Sequence, residues 1–132
     1  MRLILCLDDR NGLAFNKRRL SRDIVVCHRI LELCGKARLW MNSYSYKLFA
    51  QLTQEVTVEE GFLDQAGAEE FCFTETSLPP MEKVSDLYVF RWNRAYPSDT
   101  KLNPEEWGFS LKSREEFIGN SHPCIALEVY SR

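Results

Sequence analysis

The chain has 132 residues, 45% of them hydrophobic, and a formal net charge of −2. This length predicts one domain over residues 1–132, with enough apolar side chains for a single core and too few residues for a second one. The slightly negative charge offers no overall attraction for nucleic acid or for a membrane surface, so we expect neither as a partner.

Histidine and cysteine usage excludes several chemistries. The two histidines, His28 and His122, are too few for a His-rich metal centre, and no cysteine pair has zinc-ligand spacing, so we expect no metal. The cysteines are Cys6, Cys27, Cys34, Cys72 and Cys124. Their odd number and their mostly apolar neighbours favour reduced, buried thiols and a cytoplasmic location. His122 is interpreted as a hairpin residue rather than as a catalytic base.

The chain opens with a continuous apolar run, Leu3–Leu7. The run is too short for a signal peptide or a membrane span, and it lacks the alternation of a half-exposed strand. It therefore predicts a strand in the middle of a sheet, covered on both faces. No Walker loop, G-x-S-x-G elbow or G-x-G-x-x-G fingerprint follows it.

A basic loop follows the first strand. Five cations lie between Arg10 and Arg22, with no acidic residue among them until Asp23. Unopposed guanidinium groups repel one another, and a phosphate or carboxylate bound between them would relieve that cost. The loop therefore predicts an anion site, and a solvated loop is the alternative. The site would be formed by Arg18, Arg19 and Arg22.

The first helix is predicted over residues 23–34. Ser21 or Asp23 can cap it, and Gly35 stands where a helix commonly ends. Its predicted apolar face consists of Ile24, Cys27, Ile30, Leu31 and Cys34. This helix is the longest that the sequence predicts.

Short strands and short helices alternate through the rest of the chain. Strands are predicted over 37–41, 55–58, 71–73, 86–92 and 125–130, and helices over 43–49, 62–68 and 78–84. Residues 113–117 are interpreted as a solvated charged segment. Cations and aromatic residues alternate over 91–96, a pattern found where bases stack, but six such residues are common at strand ends, so nucleic acid is not favoured.

The order of these elements resembles dihydrofolate reductase. The first strand, the Gly-containing loop and the acidic residue at a helix start match its N-terminal half. Near the C-terminus, Asp86–Phe90 resembles the strand after the cofactor helix, Ser98-Asp99-Thr100 resembles its Gly-Asp-Thr loop, and 120–130 resembles its closing hairpin. The resemblance implies an α/β fold with a mostly parallel twisted sheet, flanking helices and an antiparallel C-terminal hairpin.

The resemblance also implies a site. Asp23 would be the catalytic residue that holds a ring nitrogen of the substrate, with Phe15 packed nearby. Asn42, Ser43 and Ser45 stand at the turn that helps to hold the nicotinamide cofactor, but the cation that would bind a 2′-phosphate is missing. Thr74, Glu75 and Thr76 stand where the reductases have a Gly-Gly pair beside the cofactor diphosphate.

Two functions remain open. The first is an NADPH-dependent reductase of a pterin or a related heterocycle. The second, which we expect, is a non-redox binding or regulatory module without a cofactor, whose ligand is a small anion or a heterocycle. A compressed middle, Glu75 at a glycine position and Phe90 at a threonine position favour the second. Tight NADPH binding and dihydrofolate reduction are therefore not expected. The shortened sheet leaves an edge strand that could pair with a second copy.

Overall fold

The computed structural model describes residues 1–132 and contains a seven-stranded sheet. In spatial order its strands are β5 (Thr57–Val58), β4 (Leu39–Met41), β6 (Phe71–Phe73), β1 (Arg2–Leu7), β7 (Asp86–Arg91), β10 (Ile125–Ser131) and β9 (Ser110–Phe117). All neighbours from β5 to β7 are parallel, whereas β10 is antiparallel to both β7 and β9. The predicted mostly parallel sheet with an antiparallel C-terminal hairpin is confirmed.

The first strand, β1, lies at the centre of this sheet between β6 and β7. Leu3, Leu5 and Leu7 point into one core cluster, and Ile4 points into a second cluster on the opposite face. All four side chains are buried. This arrangement confirms the strand covered on both faces that the unbroken apolar run predicts.

The longest helix, α1, spans Ile24–Cys34 and packs on one face of the sheet. The Asp23 carboxylate caps it by accepting the N–H of Val25, and the N–H of Gly35 ends it by donating to the Leu31 carbonyl. The buried face consists of Val26, Cys27, Ile30 and Cys34. Ile24 is 41% exposed, so its place in the predicted apolar face was wrong.

The other helical segments are single turns: α2 (Ser43–Tyr46), α3 (Phe62–Gln65), and two 3-10 turns at Met81–Lys83 and Pro104–Trp107. The helices predicted over 43–49, 62–68 and 78–84 are therefore all too long. The last is shortened because Pro79 and Pro80 each disfavour helical backbone at the preceding residue. No helix has the length and the apolar character needed to cross a bilayer.

The predicted basic loop is a hairpin in a second, three-stranded sheet. Its strands are β2 (Gly12–Phe15), β3 (Arg18–Arg19) and β8 (Thr100–Lys101), with β2 in the middle. Asn16 and Lys17 form a two-residue turn in which both φ angles are positive, 50° and 61°. Such a turn matches the twist of two antiparallel strands, and this hairpin was missed because Asn-Lys is a weaker turn signal than Asn-Gly.

The edge strand β9 contains the segment that was interpreted as solvated and charged. Residues 113–117 all pair with β10, so they form a strand that the sequence analysis did not predict. Their exposure was predicted correctly, since all but Phe117 are exposed. Charged side chains on a free edge disfavour pairing with another chain. Those of β9 are Lys112, Arg114, Glu115 and Glu116.

Candidate functional site

Asp23 lies at the start of α1, where its carboxylate faces the loop between β9 and β10 rather than solvent. Oδ1 accepts the N–H groups of Val25 and Asn120, both at 2.9 Å. Oδ2 accepts the N–H groups of Asn120 and Ser121 at 2.9 and 2.8 Å, and the Ser121 hydroxyl at 3.2 Å. His122 adds a further bond, with Nδ1 3.0 Å from Oδ2. The loop therefore surrounds the carboxylate with donors.

These donors determine the charge of Asp23. Burial raises its pKa, but the bonds from the Asn120 N–H, His122 and the Ser121 N–H outweigh burial and hold the pKa well below its ordinary value. The side chain is therefore an anion whose acceptor positions are filled by the chain itself. The role that the resemblance implies, holding a ring nitrogen of a substrate, would require some of these bonds to be exchanged.

Gly119 allows the loop to approach Asp23 so closely. A Cβ atom at this position would lie 2.6 Å from Asp23 Oδ2 and 2.9 Å from the His122 carbonyl oxygen. Real contacts of a Cβ atom are not so short, so any other residue would push the loop away from α1. No pattern in the sequence singled out this glycine.

His122 connects Asp23 to a serine. Its Nε2 lies 3.0 Å from Ser21 Oγ and 3.4 Å from the Tyr96 hydroxyl, and its ring stacks on Trp92 with the centroids 4.6 Å apart. An ionised carboxylate can only accept, so Nδ1 carries a proton, and in the neutral imidazole Nε2 accepts a hydrogen bond. The result is a chain of hydrogen bonds, Ser21–His122–Asp23, that is buried at His122 and Asp23 and that the interpretation of His122 as a hairpin residue did not include.

A second polar cluster lies at the end of β6. Arg19 donates from Nε to Glu75 Oε2 at 2.7 Å and from Nη2 to Oε1 at 3.0 Å, and Ser45 Oγ donates to Oε1 at 2.8 Å. The Arg19 guanidinium also lies over the Tyr44 ring, 4.2 Å from its centroid. Three of the predicted site residues are therefore brought together, with the counter-charge of Arg19 coming from 56 residues further along the chain.

Three of the neighbouring predicted site residues, Asn42, Ser43 and Thr74, form hydrogen bonds within the chain. Asn42 caps α2 by accepting the Ser45 N–H at 2.9 Å, and the Ser43 N–H donates to Glu60. Thr74 is buried, and its hydroxyl donates to the Ser77 carbonyl. Thr76 is partly buried. These residues fix the turns around the Arg19–Glu75 pair.

A cavity of about 400 Å³ lies between the start of α1, the segment Lys47–Leu48 and the loop residues Asn120 and Ser121. Arg22 and Lys47 both line it. Their side chains are exposed, and neither takes part in any of the ion pairs of the protein. Ile24 and Leu48 supply apolar wall, which accounts for the exposure of Ile24.

A second cavity, of about 370 Å³, is lined by Phe15, Arg18, Arg19 and Tyr96 among others. Phe15 is half exposed and does not line the Asp23 cavity, where the resemblance would place it. The structure thus puts Arg18 and Arg19 at one cavity and Arg22 at another. No group of three His, Cys, Asp or Glu side chains is arranged to hold a metal ion.

Comparison with known proteins gives a fold but no family. No family model matches the chain, and no curated protein matches its sequence. The chain is similar to a solved structure of dihydrofolate reductase from Enterococcus faecalis in complex with NADP(H) and RAB-propyl. The TM-score is 0.64 at 8% sequence identity, over 99% of this chain and 95% of that chain. The chain therefore has a dihydrofolate reductase-like fold, as predicted, and the likeness extends to the fold alone.

Proposed function

We propose that this protein is a non-redox module that binds a small anionic ligand in the cavity between Arg22 and Lys47. The observation that carries the proposal is the Arg19–Glu75 ion pair at the end of β6, where the resemblance would place a cofactor diphosphate. Glu75 is only 7% exposed and is bonded to Arg19 and Ser45.

The residues at the end of β6 do not fit a diphosphate. A phosphate that took Arg19 as its partner would leave the Glu75 carboxylate buried and unpaired. Breaking a buried ion pair in this way costs about 3–5 kcal/mol, which corresponds to a factor of roughly a hundred or more in Kd. The obstacle to a diphosphate is the loss of this ion pair rather than repulsion between two negative charges, because Arg19 compensates the charge of Glu75.

The cavity that Arg22 and Lys47 line suits an anion. Its volume of about 400 Å³ lies in the usual range for small-molecule sites, roughly 300–1,000 Å³. Arg22 and Lys47 supply two cations without ion-pair partners, and the only acidic residue of the lining, Asp23, directs its carboxylate to the loop donors. A carboxylate or phosphate group could accept a bidentate pair of hydrogen bonds from Arg22.

A reductase of a pterin or a related heterocycle, using NADPH, is the second candidate. The observation that favours it is the likeness of the whole chain to a reductase structure, together with an acidic residue, Asp23, at the start of α1. It requires NADPH to bind despite the Arg19–Glu75 pair. The two candidates therefore make opposite predictions about NADPH.

Thermal unfolding with added ligands separates them. We expect inorganic phosphate, citrate or other small polyanions to stabilise the protein, by about 2.7 kcal/mol at a hundredfold excess over Kd, and NADPH and dihydrofolate not to do so. Arg22→Glu and Lys47→Glu should each remove this stabilisation. Lys112→Glu, an exposed lysine of β9, is the matched control and should retain it. Micromolar NADPH binding, or NADPH oxidation with dihydrofolate that Asp23→Asn abolishes, would overturn the proposal.

A further inference from the structure

We propose that Ser21, His122 and Asp23 form an acyl-transfer site that hydrolyses carboxylic esters bearing an anionic group. The three side chains have the connectivity that nucleophilic catalysis requires: a hydroxyl, a base that accepts its proton and an acid that orients the base. Ser21 Oγ lies 3.0 Å from His122 Nε2, and His122 Nδ1 lies 3.0 Å from Asp23 Oδ2.

The donors around Asp23 fix the base in the required tautomer. Because the carboxylate is ionised, it holds the proton on Nδ1 and leaves the Nε2 lone pair directed at Ser21. Asp23 is itself held by the N–H groups of Asn120 and Ser121, and Trp92 stacks on the imidazole. The ring is therefore constrained on its edge and on its face, and Asp23 acts as a positioning residue.

Ser21 is partly exposed, and the two cavities that it lines are small, about 10 Å³ each, so a substrate must approach from the exposed side of the segment. It lies in the irregular segment between β3 and α1, whereas His122 behind it is only 3% exposed. The backbone N–H groups of Ser21 and Arg22 donate to no acceptor in the chain. Acyl-transfer sites commonly use the N–H of the residue after the nucleophile to stabilise the oxyanion, and Arg22 occupies that position.

The reaction balances with water as the only co-reactant. Ser21 Oγ forms a bond to the carbonyl carbon while its proton moves to His122 Nε2. The bond from that carbon to the alcohol oxygen then breaks, and Nε2 returns the proton to the leaving alcohol. Water next attacks the carbonyl carbon of the acyl-serine and gives a proton to Nε2. The bond from that carbon to Ser21 Oγ then breaks, the acid leaves, and Nε2 returns the proton to Oγ. The net change is ester plus water to carboxylic acid plus alcohol.

The anionic group of the substrate is inferred from the neighbouring residue. Arg22 follows Ser21 directly and lines the cavity that also contains Lys47. This preference rests on the proposed function, whereas the acyl chemistry rests on the three side chains alone. The alternative is that these hydrogen bonds only stabilise the contact between α1 and the loop that connects β9 and β10. The Tyr96 hydroxyl, 3.4 Å from His122 Nε2, then competes with Ser21 for this nitrogen.

A neutral alkyl fluorophosphonate tests the nucleophile without involving the anion cavity. Attack by Ser21 forms an Oγ–P bond and expels fluoride, and mass spectrometry locates the adduct. We expect one labelled serine, Ser21, with labelling lost in Ser21→Ala and strongly reduced in His122→Gln. Ser113→Ala, at an exposed position of β9, is the control, and its Ser21 should be labelled to the same extent as in the unchanged protein. A folded protein that is not labelled at Ser21, or labelling that His122→Gln leaves unchanged, would overturn the proposal.

A cysteine variant gives a second test that does not depend on esters. In Ser21→Cys, the neighbouring base should favour the thiolate, so iodoacetamide should alkylate this cysteine about a hundredfold faster than the cysteine of Ser113→Cys. Equal rates would overturn the proposal.

The anionic preference is measured with 4-nitrophenyl succinate and 4-nitrophenyl acetate. After subtraction of the rate in buffer alone, we expect the protein to hydrolyse the first faster, with the difference removed by Arg22→Glu. Equal rates in the unchanged protein, with Ser21 still labelled, would overturn the anionic preference and count against the anion site of the proposed function, but not against the nucleophile.

Discussion

The Asp23 carboxylate and the His122 imidazole are 99 residues apart in sequence and lie in direct contact, with His122 Nδ1 3.0 Å from Asp23 Oδ2. Together with the backbone bonds from Asn120 and Ser121, this contact joins the start of α1 to the loop between β9 and β10. One buried anion therefore accepts hydrogen bonds from both of these segments. The stability of the fold should depend on the charge of that anion.

Replacing Asp23 by asparagine should destabilise the protein by about 2 kcal/mol or more at pH 7. Hydrogen bonds to a charged group are lost, and the NH2 group of the new side chain cannot accept the N–H groups of the loop. The pKa of Asp23 is lower in the folded protein than in the unfolded chain, where it is about 3.9. Its stabilising contribution is therefore complete above that pH and falls as the pH drops below about 4. Urea denaturation at pH 7 and at pH 3 should show a smaller difference between the two proteins at pH 3.

Asp64→Asn is the control for this substitution, because Asp64 is an exposed residue of α3. It should leave the free energy of unfolding nearly unchanged at both pH values. A difference between Asp23→Asn and the unchanged protein that is as large at pH 3 as at pH 7 would contradict the role assigned to the charge.

Gly119→Ala should destabilise the protein by about 1–3 kcal/mol, because the new Cβ would lie 2.6 Å from Asp23 Oδ2 and 2.9 Å from a backbone carbonyl. At Gly61 the nearest atom to a new Cβ is the end of the flexible Gln65 side chain, at 3.1 Å, so Gly61→Ala is a suitable comparison. Thermal unfolding of both variants measures the effect. Equal midpoints would show that the loop can move away from α1 without cost.

The pattern of neighbouring residues in the sequence was sufficient to predict β1 and α1. The unbroken apolar run of β1 and the spacing and caps of α1 specify a buried strand and an amphipathic helix without knowledge of their neighbours. The C-terminal hairpin was predicted from resemblance. The second sheet was missed because its strands have two to four residues each, too few to show a period, and because its turn residues, Asn16 and Lys17, give a weak signal.

The candidate site could be predicted only in part, because its contacts join distant positions. Arg19 meets Glu75, and Ser21 meets His122, at sequence separations of 56 and 101 residues that no periodicity encodes. The three arginines are close in sequence, yet Arg19 pairs with Glu75 while Arg22 lines another cavity. Proximity in sequence overstated the cluster because the charge of Arg19 is compensated by Glu75 and because Arg22 lies beyond the end of β3.

Breaking the Arg19–Glu75 pair should destabilise the protein strongly. Glu75→Gln or Arg19→Met leaves the partner charge without compensation, at a cost of about 3 kcal/mol. The double variant Arg19→Met with Glu75→Gln should be more stable than either single variant, because no uncompensated charge remains. Urea denaturation of the four proteins completes the cycle.

The pair Arg38–Glu70 is the matched control for that cycle. Its atoms are 3.6 Å apart and the Arg38 side chain is 56% exposed. Exposed pairs at this distance contribute little, so Arg38→Met should have a clearly smaller effect than Arg19→Met. Similar losses for the two arginines would argue against a special role for the buried pair.

The native thiols should react in an order set by burial and by Glu116. Burial raises the pKa of Cys27 to about 11 and that of Cys34 and Cys72 to about 12, so the reactive thiolate is scarce and shielded in all three. Cys124 is partly exposed, and its thiol donates to Glu116, which raises its pKa as well.

We therefore expect Ellman's reagent at pH 8 to modify Cys124 first in the folded protein and all five cysteines in urea. Glu116→Gln should speed the reaction of Cys124, because the carboxylate no longer disfavours the thiolate, while Cys72 stays protected. Mass spectrometry of the partly modified protein identifies the site. Modification of Cys72 as fast as Cys124 without denaturant would mean that the strand β6 opens readily, and it would contradict the buried core described for that strand.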